Sequence, residues 1–420
     1  MRAVRSAAAA GIVLAAGLAA MSADLPGDPS RPQIRPGHVK PIAPDPNRIA
    51  VSSPREFTVS SPDMGTEAVF PILAACGAYH GYALVYEALT DRVGQGHVQT
   101  IFVMRDRDMN ELTGPVYKGP VPLTERADSS QLRFVRLMRF PGPDEKFLCV
   151  YELDLSGRRQ GYFRLIDPFT MGRFGEARPL GRPDEDVRVS AVRFLPGLAS
   201  AVIVYSAAGK SRYLVVDREG RPVYTGRPGH TSEQETSFEA SDIAFLPDGQ
   251  WMIAAKHGAP PSRPGWGMRA MDPFGVWTGG AKGVPDMPNT PLSLLEALKP
   301  NSFLVSNGEE RAAIVDQDGR LKKLIPAPPC PGRPSSHVER LDGDRLMFFY
   351  IHQNDQRSSD IQAQVTDFSG NVLKSPQTVL RNGLAAAGFA RKWGSKSELV
   401  VFIPVPESGR AKFRSVTISE

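Results

Sequence analysis

The 420-residue sequence predicts an all-β fold built from repeated four-stranded units. From Glu67 onward, short apolar runs alternate with turn residues and almost no 3.6-residue periodicity is present, a pattern of strands rather than helices. A quartet that starts with Asp and ends with Gly recurs about every 50 residues, the spacing of a repeat architecture. The chain carries 38 prolines and 39 glycines, and a proline share this high points to many turns between short elements.

Taken in order, the chain opens with Arg2 and Arg5 ahead of an apolar, small-residue run, Ala7 to Ala20. This is the layout of a signal peptide over residues 1–22, with Gly17-Leu18-Ala19 or Ala20-Met21-Ser22 as small-residue cleavage sites. The expectation is a periplasmic or secreted protein; retention of the segment as an N-terminal anchor is the alternative, although the run is short for a membrane span. No later run approaches a membrane helix, so the mature chain is expected to lack a span. Cleavage would remove two arginines and no acid, taking the formal net charge from +5 to +3. So small a surplus, spread along the chain, argues against nucleic acid as a partner.

Residues 23–55 read as an extended linker, with Pro26, Pro29, Pro32, Pro36, Pro41, Pro44, Pro46 and Pro54 and little apolar clustering. Glu56 to Ser60 (EFTVS) then alternates like a strand, and a single folded domain is expected over 56–420. Cys76, Cys149 and Cys330 are an odd set, so at least one must stay unpaired. Cys149, inside FLCVY, reads as a small buried hydrophobe.

Each repeat carries two markers. Asp217-Arg218-Glu219-Gly220 is matched by the quartets at Asp272, Asp316 and Asp367, with a partial match at Asp167. Phe194-Leu195-Pro196-Gly197 is matched by Phe245-Leu246-Pro247 and Leu298-Lys299-Pro300 and, more loosely, at Phe140 and Leu341. Asp at the head of a turn can accept a backbone amide two residues on, and Gly at its end takes the positive φ that other residues resist. Each unit is therefore strand a, tight turn, strand b, variable loop, strand c, Asp-x-x-Gly turn, strand d. In this respect the chain resembles the β-propeller superfamily as a whole, without the markers of WD40, kelch or sialidase blades. Counted on these markers, the units number seven, 67–122, 131–182, 187–228, 238–284, 290–327, 335–381 and 384–420, with six or eight blades as the alternatives. The last has runs for only three strands, and Glu56 to Ser60 is expected to supply the fourth and close the ring by pairing the chain ends.

Candidate chemistry is sparse. The seven histidines are dispersed, and no pair has metal-ligand spacing, so no metal and no cofactor is expected. No nucleophile elbow is present. Asp184-Glu185-Asp186 and Glu309-Glu310 fall in connecting segments and read as solvated acids. The variable b-to-c loops share one face of the disc, and variable loops on a rigid scaffold are where binding is expected. The candidate binding residues are Lys256, His257, Arg263 and Trp266 in blade 4 and His352, Asn354 and Arg357 in blade 6. The functional expectation is a binding or scaffold module for a protein or envelope polymer through this loop-rich face. A hydrolase or lyase acting on a carbohydrate or lactone at the central channel is the alternative.

Overall fold

The computed structural model describes residues 47–419 apart from 59–68, 91–96, 111, 113–120, 123–131, 143, 156, 170–174, 229–238, 247, 258–264, 284–293, 300, 307–310, 327–334, 354–358, 384–387, 393–394, 396–397 and 406–411. The signal-like run, most of the Pro-rich segment and Cys330 thus lie outside the described residues. The described residues form seven antiparallel sheets and no helix, so none is long and apolar enough to cross a membrane. Blade 3 shows the plan: Val187–Phe194, Ser200–Ala207, Lys210–Asp217 and Pro222–Gly226 pair in sequence order. The other blades run from Val69 to Pro122, Leu132 to Pro179, Glu239 to Gly283, Leu294 to Pro326, Ser335 to Gly383 and Gly388 to Ser419.

Packing between sheets makes these blades a ring. The buried apolar residues fall into seven clusters, each formed mainly by two neighbouring blades. Phe102 of blade 1 meets Phe147 of blade 2, with ring centroids 5.8 Å apart. Leu148 of blade 2 joins Ile203 of blade 3, and Tyr213 of blade 3 meets Trp251 of blade 4 at 5.2 Å. Met252 joins Phe303, Leu304 joins Phe348, and Phe349 joins Val401 around the next three seams. Phe402 of blade 7 then packs on Tyr82 of blade 1 at 5.5 Å, which returns the sequence of contacts to its start. The fold is a seven-bladed β-propeller. Cys149 is fully buried in the seam between blades 1 and 2, where desolvation pushes its thiol up to about 12.

The chain ends close the ring as the alternation at Glu56 predicts. Arg55–Thr58 pairs antiparallel with Lys412–Ser419 in blade 7, with Phe57 opposite Phe413. Ala50–Val51 pairs with the far end of the same strand, so the pairing begins before the expected Glu56. Phe57 stacks on Phe413 at 5.6 Å and meets Phe402 edge-on at 6.3 Å, anchoring the added strand through apolar area as well as backbone bonds.

The repeated quartets are the turns between third and fourth strands. Asp217 Oδ1 accepts the amides of Glu219 at 3.0 Å and Arg221 at 2.8 Å, and Asp272, Asp316 and Asp367 repeat the arrangement. The closing glycine has a second duty that turn chemistry does not reveal. A Cβ on Gly275 would stand 2.4 Å from the Arg227 carbonyl, and one on Gly319 2.5 Å from the Gly283 carbonyl, each in the segment that ends the preceding blade. A fifth copy escapes the motif: Asp106 accepts the amides of Asp108 and Asn110 at 2.8 Å, and Met109 takes the glycine position with φ 69°.

Candidate functional site

Seven first strands, Val69–Gly77, Leu132–Arg139, Val187–Phe194, Glu239–Phe245, Leu294–Lys299, Ser335–Leu341 and Gly388–Arg391, stand around the axis of the disc. Register shifts interrupt those of blades 1 to 5, among them shifts between Val189 and Ala191 and between Ala240 and Asp242. A bulge re-aims the side chains beside it, which lets charged residues face inward from strands whose other face must stay apolar. The result is a polar channel of about 550 Å³.

Its charges are divided by blade. Arg391, Arg136 and Arg193 face inward from blades 7, 2 and 3; Asp242, Glu296 and Glu339 face inward from blades 4, 5 and 6, and blade 1 offers Leu73, Ala74 and Ala75. Arg193 Nη2 donates to Asp242 Oδ2 at 2.7 Å, and the same oxygen accepts the Leu295 amide at 2.8 Å. The Asp242 carboxylate, with a side chain only 3% exposed, therefore joins blades 3, 4 and 5. It also holds the Arg193 guanidinium more firmly protonated than usual, against the opposing effect of burial. Glu339 Oε1 lies 2.9 Å from His337 Nε2, and Glu339 Oε2 lies 3.6 Å from Arg391. Burial favours the neutral acid at Glu339, but the His337 hydrogen bond and the neighbouring Arg391 guanidinium outweigh it and hold the carboxyl below its ordinary range.

Glu296 behaves in the opposite sense. Desolvation raises its carboxyl, opposed by Arg193 and reinforced by Glu339. At Arg136, enclosure in the channel and the neighbouring Arg193 charge both lower the guanidinium, although the residue stays exposed to the channel space. Among the described residues no three His, Cys, Asp or Glu side chains gather in a way that could hold a metal ion.

A second cavity, about 660 Å³ and mostly apolar, opens on the face that carries the a-to-b and c-to-d turns. Leu195, Leu198, Leu246, Trp251 and Leu298 line it, and Arg340 lines both this groove and the channel. The large hydrophobics exposed among the described residues favour this side. Tyr79, Leu198 and Phe274 lie in its turns, and Val223, Tyr224, Val372 and Leu373 begin strands that leave them. Leu198 and Phe274 are 59% and 65% exposed.

The residues singled out in the sequence fall elsewhere. Lys256 and Trp266 are opposite one another in paired strands, and His257 pairs with Gly265, so these belong to the sheet and not to the loop expected from sequence. His352 likewise continues its strand, opposite Asp360, and is only 4% exposed, with burial lowering its imidazole. The strands reach further into these segments than the apolar runs suggest, because cross-strand pairing continues past the last apolar side chain. Arg263, Asn354 and Arg357 lie outside the described residues. The channel residues were missed because each reads as one polar position in an alternating strand. A usable signal is a charge inside the apolar first strand of a blade, as in FVRLM, ASDIAF and LLEAL.

No known family profile and no curated protein matches the sequence. Among solved structures, the chain is similar to Raptor from Chaetomium thermophilum (8% identity, TM-score 0.49, covering 84% of this chain and 30% of that one). It is also similar to BBS1N in complex with ARL6DN (11%, 0.49, 89% and 97%) and to BamB from Moraxella catarrhalis (11%, 0.43, 89% and 100%). Identities this low carry no residue correspondence, so function has to be read from this chain's own side chains.

Proposed function

We propose that the protein is an exported binding module that holds another protein against the turn-bearing face of its disc. One observation supports this reading above the others: an apolar groove formed by the turns of blades 3 to 5, lined by the exposed Leu198, opens on the face whose turns carry the other exposed large hydrophobics. Apolar groups rimmed by polar turns mark a protein contact more often than a solvated surface. The closed ring gives such a contact a rigid platform. The loop-rich face remains a second place for a partner, but it falls largely in segments outside the described residues.

Photo-crosslinking tests the reading. A photoreactive residue in place of Leu198, in the native envelope, is expected to give one discrete adduct that Phe274→Asp abolishes, while the same residue in place of Lys322 gives none. Equal labelling at both positions would overturn it. Export is checked by fractionating cells that carry the full chain or the chain without residues 1–22.

A hydrolase or lyase at the channel has one observation in its favour: Glu296 is shifted toward the neutral acid while Glu339 is held ionised in the same cavity. Such a division is what acid and base roles require. Turnover of a carbohydrate or lactone that Glu296→Gln reduces about 100-fold would support it.

A further inference from the structure

The apolar groove has a polar neighbour. A cavity of about 470 Å³ adjoins it at the turn after the first strand of blade 4, and Leu246 lines both spaces. Asp248, Gln250, Asn301, Gln317 and Asp318 line the second cavity, where the three side-chain amides can both donate to and accept from a peptide backbone. Its wall is bare backbone at Gly279 and Gly280, where nothing stands within 4 Å of the missing Cβ. The two spaces thus make one surface site, apolar on one side of Leu246 and polar on the other.

Its charges are unequally spent. In the groove, Arg340 donates to the Ala297 carbonyl at 3.3 Å and the Leu298 carbonyl at 3.2 Å, and its guanidinium lies 4.9 Å from the centre of the Phe368 ring. In the polar cavity, Lys282 stands 3.4 Å from Asp318. Asp248 is exposed and accepts the Gln250 amide at 3.0 Å, and among the described residues it has no ion pair. A negative charge is therefore left open beside an apolar groove, which favours a cationic group on whatever fills the groove. Leu246 and Asp248 are two residues apart, so their Cα atoms lie within about 7 Å. Alternate side chains of an extended peptide point to one side at about that spacing.

We propose that this site binds an extended segment of the protein partner, with a bulky apolar side chain in the groove against Leu246 and a lysine or arginine two positions away against Asp248. Such a segment presupposes that this face is a protein contact, and it adds the partner's chemistry. The buried apolar group supplies affinity and the ion pair supplies selectivity.

Selection of random linear heptapeptides, displayed on phage, against the full chain tests it. Enriched peptides are expected to carry Leu, Ile, Phe or Trp with Lys or Arg two residues away, and a synthetic copy should bind one-to-one with a dissociation constant below about 100 μM. Leu198→Asp and Asp248→Lys should each weaken that peptide at least about tenfold, and selection on the lysine variant should replace the basic residue by Asp or Glu. Both side chains are exposed, so neither change should move the melting temperature by more than about two degrees. Enriched peptides without the basic residue overturn the proposal, as does a preference that Asp248→Lys leaves unchanged or a selection that yields nothing Leu198→Asp loses. Should Asp248→Lys fail to fold, Asp248→Asn keeps an acceptor for the Gln250 amide and carries the comparison. It should bind the basic peptide and a copy with glutamine at that position equally, and a persisting preference for the basic peptide would exclude Asp248 as its partner. A Leu198 adduct in the envelope without the basic preference keeps the protein contact and removes this segment; a missing adduct removes both.

Discussion

Arg193 and Asp242 meet at 2.7 Å across the seam between blades 3 and 4, and the same carboxylate takes an amide from blade 5. The pair thus fastens three blades at the wall of the channel rather than decorating its surface. Removing the acid strands a partly enclosed guanidinium and a buried amide. Asp242→Ala should cost about 3 kcal/mol, measured by denaturant unfolding, and Asp242→Asn less because the amide oxygen can still accept from Leu295. A cost below that of a typical surface substitution would show that the contact is not structural.

The turn glycines separate two effects. Gly249 has φ 86° with nothing near its missing Cβ, whereas Gly319 has φ 75° and the Gly283 carbonyl 2.5 Å away. Gly249→Ala is expected to lose about 1 kcal/mol from backbone strain alone. Gly319→Ala should lose clearly more, because the blade seam must open as well; equal losses in thermal unfolding would refute the docking role.

Met109 inverts that comparison. Its positive φ would favour glycine, yet its side chain is buried in the cluster between blades 7 and 1. Burying a methionine contributes about 2 kcal/mol or more, against about 1 kcal/mol of strain. Met109→Gly should therefore destabilise the protein slightly in chemical denaturation, and a stabilised variant would mean that strain dominates.

Acid sensitivity follows from the turn aspartates. Burial alone would raise Asp217 and Asp367, but the amides and side chains of Arg221 and Asn371 outweigh it and depress both carboxyls. A depressed carboxyl contributes stability that is present above its unfolded value near 4 and is lost as pH falls through the folded value. The double variant Asp217→Asn, Asp367→Asn should be less stable than the native chain at pH 7, by under about 1 kcal/mol per site, and the difference should shrink as pH falls below about 4. Glu296 has the opposite sign, its raised carboxyl contributing stability at low pH that disappears as pH rises. Removing it by Glu296→Gln should therefore help more at pH 8 than at pH 4, as read by melting temperature.

The ring closure offers the plainest check. Phe57→Ala removes a buried ring from a cluster of three aromatics and should cost about 3 kcal/mol in equilibrium unfolding, with blade 7 losing amide protection first in hydrogen exchange.

What the sequence alone determined is what local chemistry repeats. Alternation gave the strands, Asp217 and its counterparts gave the turns, and the spacing gave the blade count. The incomplete last blade and the stray strand at Glu56 gave the closure. Even there the Asp106 turn stayed hidden, because a buried methionine can occupy a position that turn rules reserve for glycine. The channel was decided only by the tertiary structure. Arg136, Arg193, Asp242, Glu296, Glu339 and Arg391 come from six different blades, and in one dimension each is a single polar residue in an alternating run. Their charges acquire meaning when the strands converge on one axis and water is restricted between them. The apolar groove has the same origin, since Leu198, Trp251 and Leu298 belong to turns and strands of three blades that only the ring brings side by side.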